Sequence, residues 1–206
     1  MSNTDKLTKQ ARRCFKGHVA EFHEMVVNGN KLWLLNWVKP DSNHLAVKYT
    51  YSNGILSVTG CFGESMYYWG NYNHLQAVAN FQPYYFIGKR IGGSFKNYEY
   101  DSTKAEKEIK RIFIDNQWLK GEMSREEAKE LCDEIVSIFS EYNDPELCET
   151  IAYAKTELEN ISDWHEYGFR NAGKTPHRWL WFQYIGLVMA VEQLKKRGIL
   201  KDIVND

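Results

Sequence analysis

Two β-patterned runs meet at Asn53-Gly54, and that dipeptide constrains the chain more than any other local feature. Leu45–Tyr51 places Leu45, Val47 and Tyr49 on one face, and Ile55–Thr59 returns after the Asn-Gly pair. A two-residue type I′ turn needs positive φ at both central positions, which Asn and Gly supply at low cost, so these runs form a tight antiparallel hairpin. Upstream, Asn28-Gly29-Asn30 separates a strand near Glu24–Val27 from a second at Leu32–Val38, which ends before Pro40. Downstream, the bend Gly60-Cys61-Phe62-Gly63 leads into an aromatic strand at Met66–Trp69. The spacing predicts an antiparallel meander of three or four strands, preceded by a short basic helix.

After Gly70 the apolar period lengthens. Leu75–Phe81 and Pro83–Lys89 read as short helical pieces, and Gly92-Gly93 with Asn97 as a loop. Thr103–Glu106 and Ser124–Glu127 have capping-box spacing. Ala105, Ile109, Ile112 and Phe113 follow the first at helical intervals, and Ala128, Leu131, Cys132, Ile135, Ile138 and Phe139 follow the second. Asn143 or Asp144 can cap a further helix with Pro145 at its first position and a stripe of Leu147, Cys148, Ile151, Ala154, Leu158 and Ile161. The short joint makes these two an αα-hairpin. Thr175-Pro176 opens a last helix to about Gly198, apolar nearly all round except for Gln183, which identifies a central core helix. The expected fold class is α+β, with a sheet-bearing part at 1–100 and a helical part at 101–206 in one compact unit.

Charge is unevenly spread. Residues 1–100 hold 11 Lys/Arg and 6 Asp/Glu, a net +5, while residues 122–166 hold 3 and 14, a net −11. Such asymmetry speaks to partners rather than to fold. Off the apolar stripes of the expected hairpin lie Glu126, Glu127, Glu130, Asp133, Glu134 and Glu141 on its first helix, and Glu146, Glu149, Glu157 and Glu159 on its second. A solvated face is the plain alternative. The functional reading is a negative recognition surface, with Glu126, Glu127, Glu130, Asp133, Glu134, Glu146 and Glu149 as its partner-binding residues. It would fit a cationic groove built for a phosphate backbone, which binds largely through charge. A competing surface would interleave Arg12, Arg13, Lys16, Lys31, Lys48, Lys89, Arg90 and Lys96 with Trp33, Trp37, Tyr49, Tyr67, Tyr68, Trp69 and Tyr72 as a stacking platform for single-stranded nucleic acid. The overall pI of about 6.6 argues against that alternative.

Catalytic signals are sparse. Gly168–Thr175 satisfies the P-loop expression GxxxxGK[ST]. Its lead-in, Ser162–Tyr167, is polar rather than a buried strand, and Pro176 stands directly after the Thr, so coincidence is the expected reading and a nucleotide-binding or anion-binding loop the alternative. His18, His23, His44, His74, His165 and His177 show no metal-ligand spacing, and neither a metal nor a cofactor is expected. Cys61 in its glycine bend is read as a small turn residue. The carboxylates cluster on helix exteriors, so no catalytic residue is assigned. Met1–Lys16 lacks the apolar core of a signal peptide, and the longest apolar run, Trp179–Val191, is too short to cross a bilayer. A cytoplasmic protein with reduced cysteines is expected.

Several blocks carry a resemblance: Asn53-Gly54-Ile55-Leu56-Ser57-Val58-Thr59-Gly60-Cys61-Phe62-Gly63 with the strand to Trp69, Pro83-Tyr84-Tyr85-Phe86-Ile87, Tyr100-Asp101-Ser102-Thr103-Lys104-Ala105, and Gly186–Leu194. Together they resemble small accessory proteins encoded by phages and prophages of Gram-positive bacteria. The chain departs from that pattern at Cys61, where an acidic residue is more common. The resemblance implies cargo of a mobile element acting in the host bacterial cytoplasm, a setting in which inhibitors of host defence, including anti-CRISPR proteins, are common. It implies no catalytic residue. The expected partner is a host protein with a basic nucleic-acid-binding groove, such as a CRISPR effector, with a second copy of the chain as a further candidate.

Overall fold

The computed structural model describes residues 3–70, 75–115, 124–142, 144–156 and 169–200. Tyr72, His74, the cap candidate Asn143, Glu157, Leu158, Glu159, Ile161 and the 162–168 segment with His165, all named above, lie outside them. The chain divides into two compact units: Met1–Asn97 with Pro176–Asp206, and Tyr98–Thr175. The boundary therefore differs from the expected 100/101 division, because the last helix packs with the sheet rather than with the other helices. The α+β class holds, with an antiparallel sheet first and helices after it.

The first unit opens with α1 (Asn3–Cys14) and continues through β1 (Val19–Val27), β2 (Asn30–Lys39), β3 (Ser42–Ser52), β4 (Ile55–Gly60) and β5 (Ser65–Tyr68). Then come α2 (Leu75–Ala79), α3 (Pro83–Gly88) and β6 (Arg90–Gly93). The six strands form one antiparallel sheet in chain order. Two strands exceed expectation in extent or existence. β1 begins at Val19, five residues ahead of the expected Glu24, because it pairs with β2 from Val19 opposite Val38 to Val27 opposite Asn30. β6 uses the Gly92-Gly93 pair as strand, set against Met66 and Ser65. At the central hairpin Asn53 and Gly54 have φ of +49° and +80°, the geometry their turn requires.

The period-2 alternation sends the large rings inward. Trp33 is opposite Tyr51, Tyr51 opposite Leu56, and Leu56 opposite Tyr67, with Leu35, Tyr49 and Val58 in the next row. All are buried, and the Trp33 and Tyr51 rings stack with centroids 5.0 Å apart. The final helix, α7, covers this face and closes the core with Leu180, Phe182, Leu187, Val191 and Leu194 (its range is Arg178–Lys196). It approaches the sheet at Gly186, where a Cβ would stand 2.6 Å from the Tyr49 hydroxyl, so only glycine permits this spacing. Gln183, the polar interruption in the apolar run, is wholly buried and fully used. It accepts from the Tyr67 hydroxyl at 3.0 Å, and its amide donates to the carbonyls of Phe62 and Gly63 at 3.0 and 3.3 Å.

The second unit begins with β7 (Tyr98–Tyr100), α4 (Ser102–Asp115), α5 (Arg125–Glu141) and α6 (Pro145–Lys155). A 3₁₀ turn at Phe169–Asn171 and β8 (Lys174–Pro176) complete the series, and β8 pairs with β7. Its core gathers Ala105, Ile109 and Phe113 of α4, Leu131, Cys132, Ile135, Ile138 and Phe139 of α5, and Cys148 and Ala152 of α6, with Phe169 and Ala172. Ser124 and Glu127 form the expected reciprocal box at the start of α5. The expected box at Thr103 is replaced: α4 starts at Ser102, two residues earlier than that box implies, and Asp101 accepts from the Lys104 N–H at 3.0 Å. Asp144 caps α6 ahead of Pro145, as expected. The α6 stripe is narrower than its sequence reads, because Leu147 and Ala154 are exposed while Cys148 and Ala152 are buried. No helix among the described residues is long and apolar enough to cross a membrane.

Candidate interaction surfaces

The acidic residues of α5 divide according to what else they do. The buried side of the helix is set by Leu131, Cys132, Ile135, Ile138 and Phe139. At 3.6 residues per turn, Glu126, Glu130, Asp133, Glu134 and Glu141 fall on the opposite side, and all five are exposed. Glu126, Glu130 and Glu134 follow one another at i, i+4 spacing and pair with no side chain among the described residues. Glu127 is also exposed but belongs to the cap: its carboxylate accepts the Ser124 N–H at 2.7 Å, which lowers its pKa. Asp133 stands near enough to Lys110 of α4 to raise that lysine's pKa, although Glu106 does so more strongly through a 2.7 Å contact.

On α6 the two expected residues are less available. Glu146 is exposed and forms an ion pair with Lys174 at 3.3 Å. Glu149 is half-buried and already engaged. The seven residues read from the sequence as one surface therefore reduce to a free stripe on α5, with a cap, a partly compensated aspartate and two engaged glutamates around it.

Within the P-loop-like segment, Gly173, Lys174 and Thr175 turn their polar groups on their own unit. The Gly173 N–H donates to Glu108 Oε2 at 2.9 Å, so a protein carboxylate occupies the place a phosphate would need. The Lys174 ammonium is held by Glu146 and lies over the Tyr98 ring. The Thr175 hydroxyl donates to the Glu99 carbonyl at 3.3 Å. Lys174–Pro176 is a strand, whereas a P-loop lysine opens a helix.

The stacking platform read as the competing alternative is not assembled by its rings. Trp33, Trp37, Tyr49, Tyr67 and Trp69 are buried on the inner face, and of the described rings in that set only Tyr68 is exposed. Aromatic surplus served the core because the inward positions of β2, β3 and β5 take rings, Trp33, Trp37, Tyr49, Tyr51 and Tyr67. Cys61 is an exposed thiol whose S–H donates to the Asn43 carbonyl at 3.5 Å. Among the described residues no three His, Cys, Asp or Glu side chains are grouped to hold a metal ion.

One arrangement has no counterpart in the sequence reading. Arg12 and Arg13 in the last turn of α1, and Lys16 just after it, line a cleft together with His18, Trp37 and Lys196. The basic run was visible in the sequence, but nothing there joins it to a lysine at the far end of α7.

No family model matches the chain, and neither a curated protein nor a solved structure matches it.

Proposed function

We propose that this is a non-enzymatic binding protein whose acidic α5 surface enters a cationic groove on a partner protein. In keeping with the phage-like resemblance of its sequence, the partner is a host defence factor, with an RNA-guided CRISPR effector as the leading case. The reading rests on one observation: Glu126, Glu130 and Glu134 stand in a row, exposed and without partners among the described residues. Like charges at i, i+4 destabilise a helix by about 0.2–0.5 kcal/mol per pair. The helix dipole favours Glu126 in the first turn, but no ion pair among the described residues holds Glu126, Glu130 or Glu134, and recognition of a positive surface gives the row a purpose. A groove shaped for a nucleic-acid backbone draws on the same long-range attraction.

The test is binding to a purified RNA-guided nuclease across a salt series, with and without its target DNA. Affinity should fall steeply with salt, and bound DNA should exclude the protein. The triple variant Glu126→Lys, Glu130→Lys, Glu134→Lys should lose at least tenfold in affinity and most of the salt dependence. Binding that is unchanged by this reversal removes the acidic stripe as the recognition element.

A further inference from the structure

β1 is one edge of the six-stranded sheet and pairs only with β2. The turn at Asn28-Gly29, with φ of +49° and +77°, makes Val27 and Asn30 a hydrogen-bonded pair. Along β1 the backbone groups of Val27, Met25, His23 and Glu21 therefore face β2, and those of Val26, Glu24, Phe22 and Ala20 face outward. Ala20 agrees with this assignment from outside the sheet. Its N–H donates to Gln193 Oε1 and its carbonyl accepts from the Arg197 guanidinium, each at 2.7 Å. The end of α7 thus closes the edge at Ala20 and goes no further. The outward N–H and carbonyl groups of Phe22, Glu24 and Val26 have no partner among the described residues.

Exposed edges are usually blunted by lysine, proline, a bulge or a very short strand. β1 is nine residues long, holds neither lysine nor proline, and keeps an unbroken register with β2. Its second half carries Met25, Val26 and Val27 in a row, 49%, 63% and 52% exposed. Successive side chains alternate, so apolar surface stands uncovered on both faces of the hairpin. Glu24 points to the same face as Trp33 and is the kind of inward charge that keeps an edge unpaired. Here Lys31 stands 3.7 Å from its carboxylate and tempers that charge.

We propose that the open stretch of β1 pairs with the same stretch of a second copy of the chain, antiparallel about a two-fold axis at Glu24, so that two sheets join edge to edge. The ends of the opening select this occupant. It is bounded by the α7 cap at Ala20 and by the turn at Asn28, which leaves Phe22, Glu24 and Val26 as its outward residues. An antiparallel partner must set outward residues opposite outward residues. A copy centred on Glu24 does so at every one: Phe22 meets Val26 of the second copy, Glu24 meets Glu24, and Val26 meets Phe22. A register centred on Met25 pairs only Glu24 and Val26 and sets Phe22 against the turn. The Glu24 register also places Val26 beside Phe22, an aromatic and β-branched pair of the kind that stabilises neighbouring strands, and Met25 beside His23. Its cost is one carboxylate opposite another. So short a contact lies at the small end of specific interfaces, so the dimer is weak and reversible. The inference is independent of the acidic surface on α5.

Sedimentation equilibrium of the full chain over a concentration series tests it. The mass should rise from one chain to two, with a Kd in the micromolar range. Val26→Pro removes an outward N–H that β2 does not use, so its thermal melt should stay close to that of the unaltered chain while the dimer weakens at least tenfold. Glu24→Gln relieves the opposed carboxylates and should tighten the dimer about two- to fivefold. Glu24→Lys mixed with the unaltered chain should give a heterodimer tighter than either homodimer, because unlike charges then face each other across the axis. A single-chain mass at millimolar concentration overturns the proposal, and is what an edge reserved for an extended segment of another protein would give. Dimerisation undiminished in Val26→Pro overturns it by placing the contact elsewhere. A mixture no tighter than the separate chains overturns it by removing the pairing of Glu24 with its own copy.

Discussion

The Tyr67 hydroxyl donates to Gln183 Oε1 across 3.0 Å inside the core between the sheet and α7. Burial raises the phenol's pKa, so this proton stays on the ring over the whole accessible pH range. Gln183→Leu would strip the partner from that hydroxyl and from the Phe62 and Gly63 carbonyls at once. Unfolding in urea should show a loss of about 2–4 kcal/mol, since each buried group left unpaired costs roughly 1–3 kcal/mol. Adding Tyr67→Phe should restore about 1 kcal/mol, because one of the orphaned groups disappears. Equal stability of the single and double variants would mean that the pair is not coupled.

Gly186 and Gly88 should respond oppositely to alanine. At Gly186 the new methyl would meet the Tyr49 hydroxyl at 2.6 Å, and that hydroxyl is held by the Gln183 carbonyl at 2.7 Å. Overpacking costs about 1–3 kcal/mol, against about 1 kcal/mol of helix propensity gained, so Gly186→Ala should be destabilising by up to about 2 kcal/mol. At Gly88 nothing stands within 4 Å of the added carbon, and Gly88→Ala should raise stability by about 0.4–1 kcal/mol. Denaturation midpoints that move in the same direction for both would contradict the close helix–sheet approach.

Neutralising the α5 stripe should separate binding from folding. Glu126→Gln, Glu130→Gln and Glu134→Gln together remove two i, i+4 repulsions, so stability should stay level or rise by up to about 1 kcal/mol. In contrast, Ser124→Ala removes a cap and should cost about 1 kcal/mol. Thermal melts at low and high salt check both. A clear loss of stability in the triple variant would show that those carboxylates hold the fold rather than face a partner.

His18 gives the first unit a dependence on acid. Burial lowers its pKa, with Lys39 and His44 acting in the same direction and the Leu45 and Phe15 carbonyls opposing. A base depressed in the folded chain takes up its proton preferentially on unfolding, whose ordinary pKa is about 6.5. The associated stability is therefore intact above that value and lost as pH falls below it towards the folded value. The melting temperature should drop between about pH 7 and pH 5, and the slope should flatten in His18→Gln.

Local chemistry made much of the fold legible. Asn53-Gly54 and Asn28-Gly29 fixed two hairpins because few other dipeptides accept two positive φ angles cheaply. Ser124, Glu127, Asp144 and Pro145 announced helix starts through groups that satisfy free N–H donors. What escaped was tertiary. β6 carries two glycines and no alternation of its own, and only pairing with β5 makes it a strand. The stripe of Glu126, Glu130 and Glu134 could be read because helical spacing alone defines it. The basic cleft could not, since Arg12 and Glu192 meet there from 180 positions apart. The aromatic count was ambiguous until the register placed Trp33, Tyr51 and Tyr67 on one face.

The point at which the first unit's chain departs and returns has a practical consequence. Its two ends there are held together, with the His177 N–H donating to the Asn97 carbonyl at 3.0 Å, and the strands that open and close the second unit, β7 and β8, are themselves neighbours. The helical segment is thus wired as a plug-in cassette between adjoining sockets. A splice of a few flexible residues from Asn97 to His177 could delete it, and a lineage could exchange its acidic module by recombination while leaving the sheet and its basic cleft intact.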